Sequence, residues 1–473
     1  MNALNNILKN TFKIDRLREN QREIIDEILR GADVLTLLPT GAGKSLTFQL
    51  PMLLLKKKTI VVSPLISLME DQVMQLKNKR IKACCIHSNL DAQDKYIILR
   101  NIHAYDFIYC SPEWLSINGL ELLKDYPCQT VVIDEAHCIS EWGYEFRPHY
   151  LVLGEIINYY DAQVIALTAT ANNRVIQDIQ QVLGKPLKIL DYMYERMNIY
   201  YAIINCMNDG EKLKYIENIL KSSGPTVIYF SSKKQVELVY QYLYEQHITV
   251  ERYHADMTYE ERMSVQQRFM QDEIQVICAT NAFGMGVNKP NIRTVIHYHM
   301  PKSIFQFIQE IGRAGRDGFL AQSILLYSEN DELIAYRLNE MNELNPDEIA
   351  MFYQGTKLPE EKQVLLEILS KMHDEPFIVR KIAQHQSMKR LATSNMLSYI
   401  HEQGCLTKRL KQLNQNNSLQ LDQIDDESKQ NNRCCSICNE EIYLKFNQSD
   451  YQPQKMASKA LLNQLFNDLY DFT

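Results

Sequence analysis

At 473 residues the chain is too long for one domain, and its length suggests about three. A hydrophobic content of 45% and a charged content of 23% are those of an ordinary water-soluble chain, and no apolar stretch reaches the roughly 18 residues that would span a bilayer. A net charge of -7 argues against a protein that coats nucleic acid non-specifically, while leaving room for a local basic cleft.

Met1-Asn2-Ala3-Leu4-Asn5-Asn6 lacks a basic segment followed by an apolar core, so a cytoplasmic protein is expected. The 11 cysteines are scattered through apparent strands (Cys84, Cys85, Cys110, Cys278) except for one late cluster, which fits a reducing compartment. Abundant Asn, Ile and Lys point to an AT-rich bacterial genome.

From about residue 20 to residue 330, short apolar runs alternate with helix-like stretches. Predicted strands are 34–38, 60–63, 107–110, 131–133 and 164–167, then a second series at 226–230, 250–254, 276–279, 295–298 and 324–327. That alternation implies parallel sheets covered on both faces. The two series part near Glu195-Arg196-Met197-Asn198, giving domains at 1–196 and 197–331. Only the first carries a phosphate loop, so the second is expected to close over the first domain's nucleotide. Residues 332–402 read as helical, with an apolar stripe at Val364, Leu365, Ile368 and Leu369. Within them, 376–400 fits either a helix-turn-helix or a plain helical packing module. Residues 412–433 are polar and low in complexity, as in a mobile surface loop; 403–445 hold the cysteine cluster, and 446–473 form a tail.

The chemistry concentrates in Pro39-Thr40-Gly41-Ala42-Gly43-Lys44-Ser45. These residues follow a buried strand and lead into a helix. Backbone N–H groups of Thr40, Gly41, Ala42 and Gly43 at a helix N-terminus converge on anionic oxygens, and Lys44 adds a point charge. Ser45 offers a hydroxyl to magnesium. Asp134 and Glu135 end another apolar strand; Asp134 can hold the same magnesium and Glu135 can polarise a water. Together these are the two halves of a nucleotide triphosphatase site. The strict phosphate-loop pattern wants a glycine where this chain has Leu38.

The segment Asp134-Glu135-Ala136-His137-Cys138-Ile139-Ser140-Glu141-Trp142-Gly143-Tyr144-Glu145-Phe146-Arg147-Pro148 resembles the RecQ family of superfamily 2 DNA helicases. The likeness is strong over roughly 8–330 and patchy to about 440. It implies two tandem RecA-like α/β domains plus a small helical, zinc-binding-like C-terminal region. In the family, this segment is the Walker B motif running into an aromatic-rich loop that senses single-stranded DNA. His137 would then couple the two functions. Trp142 and Phe146 offer stacking faces, worth about 1–3 kcal/mol per base, and Arg147 offers charge.

Arg18 and Gln21 resemble the family's adenine-recognition motif, with Ile14 where a stacking aromatic is usual. Ser63-Pro64 and Ser111-Pro112 look like its first-domain DNA-contact motifs, where strand-end turns bind backbone phosphates. Thr168 and Thr170 match the motif that couples hydrolysis to domain movement. Asn281 and Gly286 lie in a stretch similar to the fifth motif. Gln309, Arg313 and Arg316 lie in one similar to the sixth, with Gln309 on the nucleotide side. Two arginines three apart on a helix point to one side; the resemblance makes Arg316 the arginine finger and Arg313 its support.

The family also places a four-cysteine zinc site after the second domain. Cys405, Cys435 and Cys438 match three ligands, and Cys434 is a fourth candidate, awkward beside Cys435 for one tetrahedral ion; a metal-free remnant is the alternative. The residues after Cys438 are not expected to hold the family's winged helix, so the strand-separating element is not evident.

The resemblance therefore implies an ATP- and magnesium-dependent helicase moving 3′ to 5′ on single-stranded and forked duplex DNA. Its setting would be recombination, repair or replication-fork maintenance. It is expected as a monomer near the nucleoid, with single-strand DNA-binding and recombination proteins as partners and no membrane. An RNA helicase, or a translocase that remodels protein–DNA complexes without unwinding, are the other readings.

Overall fold

In a computed structural model of the chain, the described residues are 2–38, 42–64, 66–87, 90–141, 148–169, 171, 173–192, 198–283, 289–340, 343–414 and 434–439. Among them, the first lobe is built on a seven-stranded sheet. Its strands are β1 Val34–Leu37, β2 Thr59–Val62, β3 Ala83–Ile86, β4 Phe107–Cys110, β5 Thr130–Ile133, β6 Gln163–Thr168 and β7 Lys188–Asp191. All neighbours run parallel in the order β3-β4-β2-β5-β6-β1-β7.

Side chains along a strand alternate between faces. Leu35 and Leu37 pack with Ile60, Val62, Val131 and Ile133, whereas Val34 packs with Val61, Val132 and Ile165. Burial on both faces explains why these strands read as unbroken apolar runs. Between β1 and β2 the chain crosses two intervening strands, which opens a crevice at the carboxyl ends of β1, β5 and β6. Ligands of open α/β sheets bind at such switch points.

The second lobe is a six-stranded parallel sheet: β8 Ile199–Asn205, β9 Thr226–Tyr229, β10 Val250–Tyr253, β11 Val276–Ala279, β12 Thr294–His297 and β13 Ala321–Tyr327, in the order β10-β11-β9-β12-β13-β8. Val227, Ile277 and Val295 line one core and Ile228, Val276 and Ile296 the other. The two sheets confirm the expected fold class. Three strands, β3, β7 and β8, were not among those predicted.

Four helices carry the site residues: α1 Glu19–Leu29, α2 Lys44–Leu55, α3 Ile66–Asn78 and α4 Ile304–Ile311. The C-terminal helices are α5 Asp331–Glu340, α6 Pro346–Tyr353, α7 Glu360–Met372, α8 Glu375–Ile400 and α9 Leu406–Asn414. Residues 376–400 are not a helix-turn-helix. They belong to the single 26-residue α8, capped by Asp374 Oδ1, which accepts from the Phe377 N–H at 3.0 Å. Neither Gly nor Pro occurs between Phe377 and Gln403, so nothing interrupts it.

At about 1.5 Å per residue α8 is about 39 Å long, and its ends serve different lobes. Ile378 joins Leu344, Ile349, Leu365 and Leu369 in a cluster that includes Leu151 of the first lobe. Met396, Tyr399 and Ile400 pack into the second lobe's core. No helix among the described residues is long and apolar enough to cross a membrane.

Candidate functional site

Of the phosphate loop, Pro39, Thr40 and Gly41 lie outside the described residues. Gly43 has φ of +80°, and a Cβ there would sit 2.5 Å from Gln21 Nε2, so this position requires glycine. Gln21 Nε2 donates to the Ala42 carbonyl at 2.8 Å, and its Oε1 accepts from the Arg18 N–H at 3.1 Å. The glutamine amide thus braces the loop from α1 with one of its two N–H donors and one of its two Oε1 lone pairs. Ile14 packs against a cluster containing Leu4, Leu8 and Leu46.

Lys44, the first residue of α2, reaches across to the end of β5 and donates to Glu135 Oε1 at 2.9 Å, both side chains nearly buried. Glu135 holds a left-handed backbone, φ +50°, which is uncommon for a non-glycine residue and typical of a strained functional turn. Burial raises its pKa, but the charges around it, Lys44 foremost and Arg313 among them, outweigh burial and hold it below the usual carboxylate range. Asp134 behaves oppositely. Burial first, and then the adjacent Glu135 carboxylate, pushes it up to about 6. Two buried carboxylates sharing one lysine suit a divalent cation, which would relieve that cost; Ser45, half-buried one residue after Lys44, would offer it a hydroxyl.

Both oxygens of Asp134 are held. Oδ1 accepts from the Glu135 N–H at 3.0 Å and Oδ2 from Gln72 Nε2 at 3.1 Å. Gln72 Oε1 in turn accepts from the Tyr109 hydroxyl at 3.0 Å, and that hydroxyl accepts from Gln49 Nε2 at 3.1 Å. Sequence reasoning missed Gln49, Gln72 and Tyr109. The one available signal was a tyrosine inside the fully apolar β4 run.

His137 sits at the junction of the lobes. Its Nδ1 lies 3.0 Å from Thr168 Oγ1 and its Nε2 lies 3.3 Å from Gln309 Nε2. Phe305 of α4 packs on its ring at 5.2 Å. Burial pulls the imidazole down to about 4, so it is neutral near pH 7. A single tautomer, protonated on Nδ1, satisfies both contacts by donating to Thr168 and accepting from Gln309. His137 and Thr168 therefore lie beside Glu135 at the lobe interface, with both side chains buried away from solvent.

The second lobe approaches through the residues after α4. The helix ends at Ile311 and Gly312 is its C-cap, so Arg313 and Arg316 stand on turns rather than on a helix, a correction to the expected geometry. Gly315 has φ of +55°, and a Cβ there would meet Asn198 Nδ2 at 2.5 Å and the Phe319 carbonyl at 2.8 Å. That tight passage breaks the helix. Arg313 hydrogen-bonds Tyr229, whose hydroxyl donates to the Phe283 carbonyl at 3.0 Å. Arg316 Nε donates to the Gly312 carbonyl at 3.3 Å. Arg313 is the arginine whose charge bears on Glu135 here.

Several expected DNA contacts stand differently. The side chains of Ser63, Pro64, Ser111 and Pro112 are buried. Ser111 Oγ caps a short helix by accepting from the Trp114 N–H at 3.3 Å. The Ser111 hydroxyl is thus engaged by local backbone, whereas Ser63 Oγ is buried with no hydrogen-bond partner among the described residues. Asn281 is exposed. Trp142, Phe146, Arg147, Thr170 and Gly286 lie outside the described residues, as do 415–433 and 446–473.

The late cysteines converge. The Sγ atoms of Cys405, Cys434, Cys435 and Cys438 all lie within 4.8 Å of one another, with separations of 3.8 Å (405–434), 3.9 Å (434–435) and 4.0 Å (405–435). Zn–S bonds of about 2.3 Å in a tetrahedron put sulfurs about 3.8 Å apart. Adjacency of Cys434 and Cys435 is thus no obstacle to one tetrahedral ion. Burial opposes ionisation of Cys435, but the N–H groups of Cys438, Leu406 and Ile437 outweigh it and bring the thiol below its ordinary value. The cluster is pinned to β8: the Tyr201 N–H donates to the Cys434 carbonyl at 3.1 Å, and the Ser436 N–H to the Tyr201 carbonyl at 2.9 Å.

This fold and cleft define a two-lobed superfamily 2 helicase core. The family models for DEAD/DEAH box helicase and for helicase conserved C-terminal domain match residues 18–179 and 211–318. The chain is 40% identical over 368 residues to the probable ATP-dependent DNA helicase RecS of Bacillus subtilis (strain 168), covering 76% of this chain and 74% of RecS. It is 39% identical over 331 residues to the ATP-dependent DNA helicase RecQ of Haemophilus influenzae, covering 69% of this chain and 53% of that protein. The crystal structure of the DUF1998 helicase MrfA bound to DNA superposes with a TM-score of 0.61 at 19% identity, over 74% of this chain and 56% of that one, a likeness of fold. The chain belongs to the RecQ family of ATP-dependent DNA helicases.

Proposed function

We propose that this chain hydrolyses ATP to move 3′ to 5′ along one strand of DNA and thereby unwinds duplex DNA. The observation that carries the reading is the shared cleft, where Lys44 meets Glu135 at 2.9 Å and the second lobe brings Gln309 and Arg313 to the same cluster. Its nearness in sequence to proteins named ATP-dependent DNA helicases supports DNA as the track.

On nucleotide binding, Lys44 exchanges Glu135 for the terminal phosphates. Glu135, ionised and released from that partner, accepts a proton from the attacking water. Asp134 and Ser45 would hold magnesium, which neutralises charge on the phosphates. Arg313 and Arg316 meet the γ-phosphate as the lobes close, and His137 carries that movement between Glu135 and Gln309. The lobes' grips on the strand shift by one base per cycle, against a base-pair step of about 1.4 kcal/mol. The setting is recombination, repair or replication-fork maintenance in a bacterial cytoplasm near the nucleoid, as a monomer alongside single-strand DNA-binding and recombination proteins.

Turnover and strand release on a forked duplex test this reading. The expected result is ATP turnover stimulated by DNA more than by RNA, with release from forks bearing a 3′ tail and none from Lys44→Ala. Stimulation without release would instead support a remodelling translocase, and stronger stimulation by RNA an RNA helicase.

Cys405, Cys434, Cys435 and Cys438 are the proposed zinc ligands, a structural role at the edge of the second lobe. Atomic absorption is expected to find one zinc per chain. Cys434→Ala and Cys435→Ala should each lose it and lower the melting temperature, with Cys435 the more damaging because its sulfur collects the backbone N–H groups. Full zinc content in Cys434→Ala would remove that residue from the ligand set.

A further inference from the structure

We propose that Gln72 is a positioning residue for the Walker B carboxylate, holding Asp134 in its metal-binding orientation through a buried relay that starts at Gln49. The inference rests on the ATPase reading above and adds residues that none of the family's motifs, as matched here, assigns.

The relay has one polarity throughout. Gln49 on α2 donates to the Tyr109 hydroxyl on β4 at 3.1 Å. That hydroxyl donates to Gln72 Oε1 on α3 at 3.0 Å, and Gln72 Nε2 donates to Asp134 Oδ2 at 3.1 Å. Each donor points toward the carboxylate, so the amide orientations support one another and end on the anion. All four side chains are buried, Tyr109 completely. A phenylalanine on β4 would fill the same space, so packing alone does not call for the hydroxyl, and glutamines in an otherwise apolar layer are costly unless bonded.

An aspartate has two side-chain torsions, and the carboxylate here is fixed at both oxygens, by the Glu135 N–H and by Gln72. Removing the Gln72 amide frees the carboxylate to rotate and leaves its Oδ2 unbonded in a buried place. Partners of this kind, one bond removed from a metal, are worth about 10–100-fold in metal affinity. The relay also starts on α2, the helix that begins with Lys44, and so ties the two halves of the phosphate–metal site together from behind.

The test is binding of Mn2+ in the presence of ADP, read by electron paramagnetic resonance on the full-length chain, with wild type and Asp134→Asn as references. Gln72→Ala is expected to weaken Mn2+ binding by about 10-fold. Tyr109→Phe should weaken it in the same direction by less, and metal-free ADP affinity should stay unchanged in both. The double variant should be no worse than Gln72→Ala alone, because both changes break one chain of bonds. Tyr109→Phe keeps the ring and its packing, so the relay is tested even where Gln72→Ala fails to fold. Mn2+ affinity within twofold of wild type in Tyr109→Phe and in a folded Gln72→Ala would overturn the proposal and leave the ATPase reading standing. Absence of Mn2+ binding by wild type would instead overturn both.

Discussion

Lys44→Ala is expected to lower DNA-stimulated ATP turnover by about 10³-fold. Two losses combine. The terminal phosphates lose a preorganised cation, which alone is worth about 10²–10³ in rate. Glu135 also loses the foremost of the charges that hold it ionised against burial, so a larger fraction is protonated and unable to accept a proton from water. The variant should be less stable as well, because Lys44 is the ion-pair partner of Glu135 beside a second buried carboxylate. The sign of the pH dependence follows from Asp134. Its carboxyl is raised to about 6 in the folded chain, above its value in an unfolded one. It therefore opposes folding increasingly as pH rises from the unfolded value toward 6, and acidification through that window relieves the penalty. Thermal denaturation of the variant at pH 5.5 and pH 7.5 should show a smaller deficit at the lower pH. Turnover within tenfold of wild type would remove Lys44 from the phosphate site.

Arg313→Ala is expected to cut kcat by about 10³-fold with a much smaller change in the KM for ATP, the signature of an arginine that matters chiefly as charge develops on the transferring phosphoryl group. Arg313→Lys should recover little, since an ammonium lacks the planar fork that grips Tyr229 and phosphate together. Sequence resemblance assigned the finger to Arg316 and the supporting role to Arg313, whereas the charge felt by Glu135 in this conformation is that of Arg313, and Arg316 is turned onto the Gly312 carbonyl. Steady-state kinetics of both alanine variants decides between them. A larger kcat loss for Arg316→Ala would require closure of the lobes to carry Arg316 past its neighbour.

Most of both sheets was legible because parallel strands buried on two faces leave long apolar runs between helices. Two of the three strands that escaped notice, β7 and β3, lack that imprint, whereas β8 carries it. β7 lies at an edge with only Leu190 buried, and its Lys188 and Asp191 look like loop. β3 is Ala-Cys-Cys-Ile, short and poor in β-branched residues. The phosphate-loop lysine and the Asp134-Glu135 pair were readable because each half of the site is local in the chain. The Gln49–Tyr109–Gln72–Asp134 relay was not: its bonded pairs are 37 to 62 residues apart in sequence and share no spacing that a pattern could register. For 376–400 the sequence left a helix-turn-helix and a plain helical module both open, and the second holds, since a run with no glycine or proline after Pro376 continues as helix. Serines before proline at strand ends looked like phosphate ligands, and in this structure both are buried, a state that local sequence does not announce.

The seam between the cysteine cluster and β8 bears on how the protein survives in a crowded cell. β8 is the last strand of its sheet, and Cys434 and Ser436 occupy the backbone groups of Tyr201 on its outward side. Outermost strands with open backbone groups recruit other extended chains. Oxidising or chelating conditions that loosen the sulfur knot would bare that rim, and the first symptom would be polymerisation of otherwise folded molecules rather than unfolding.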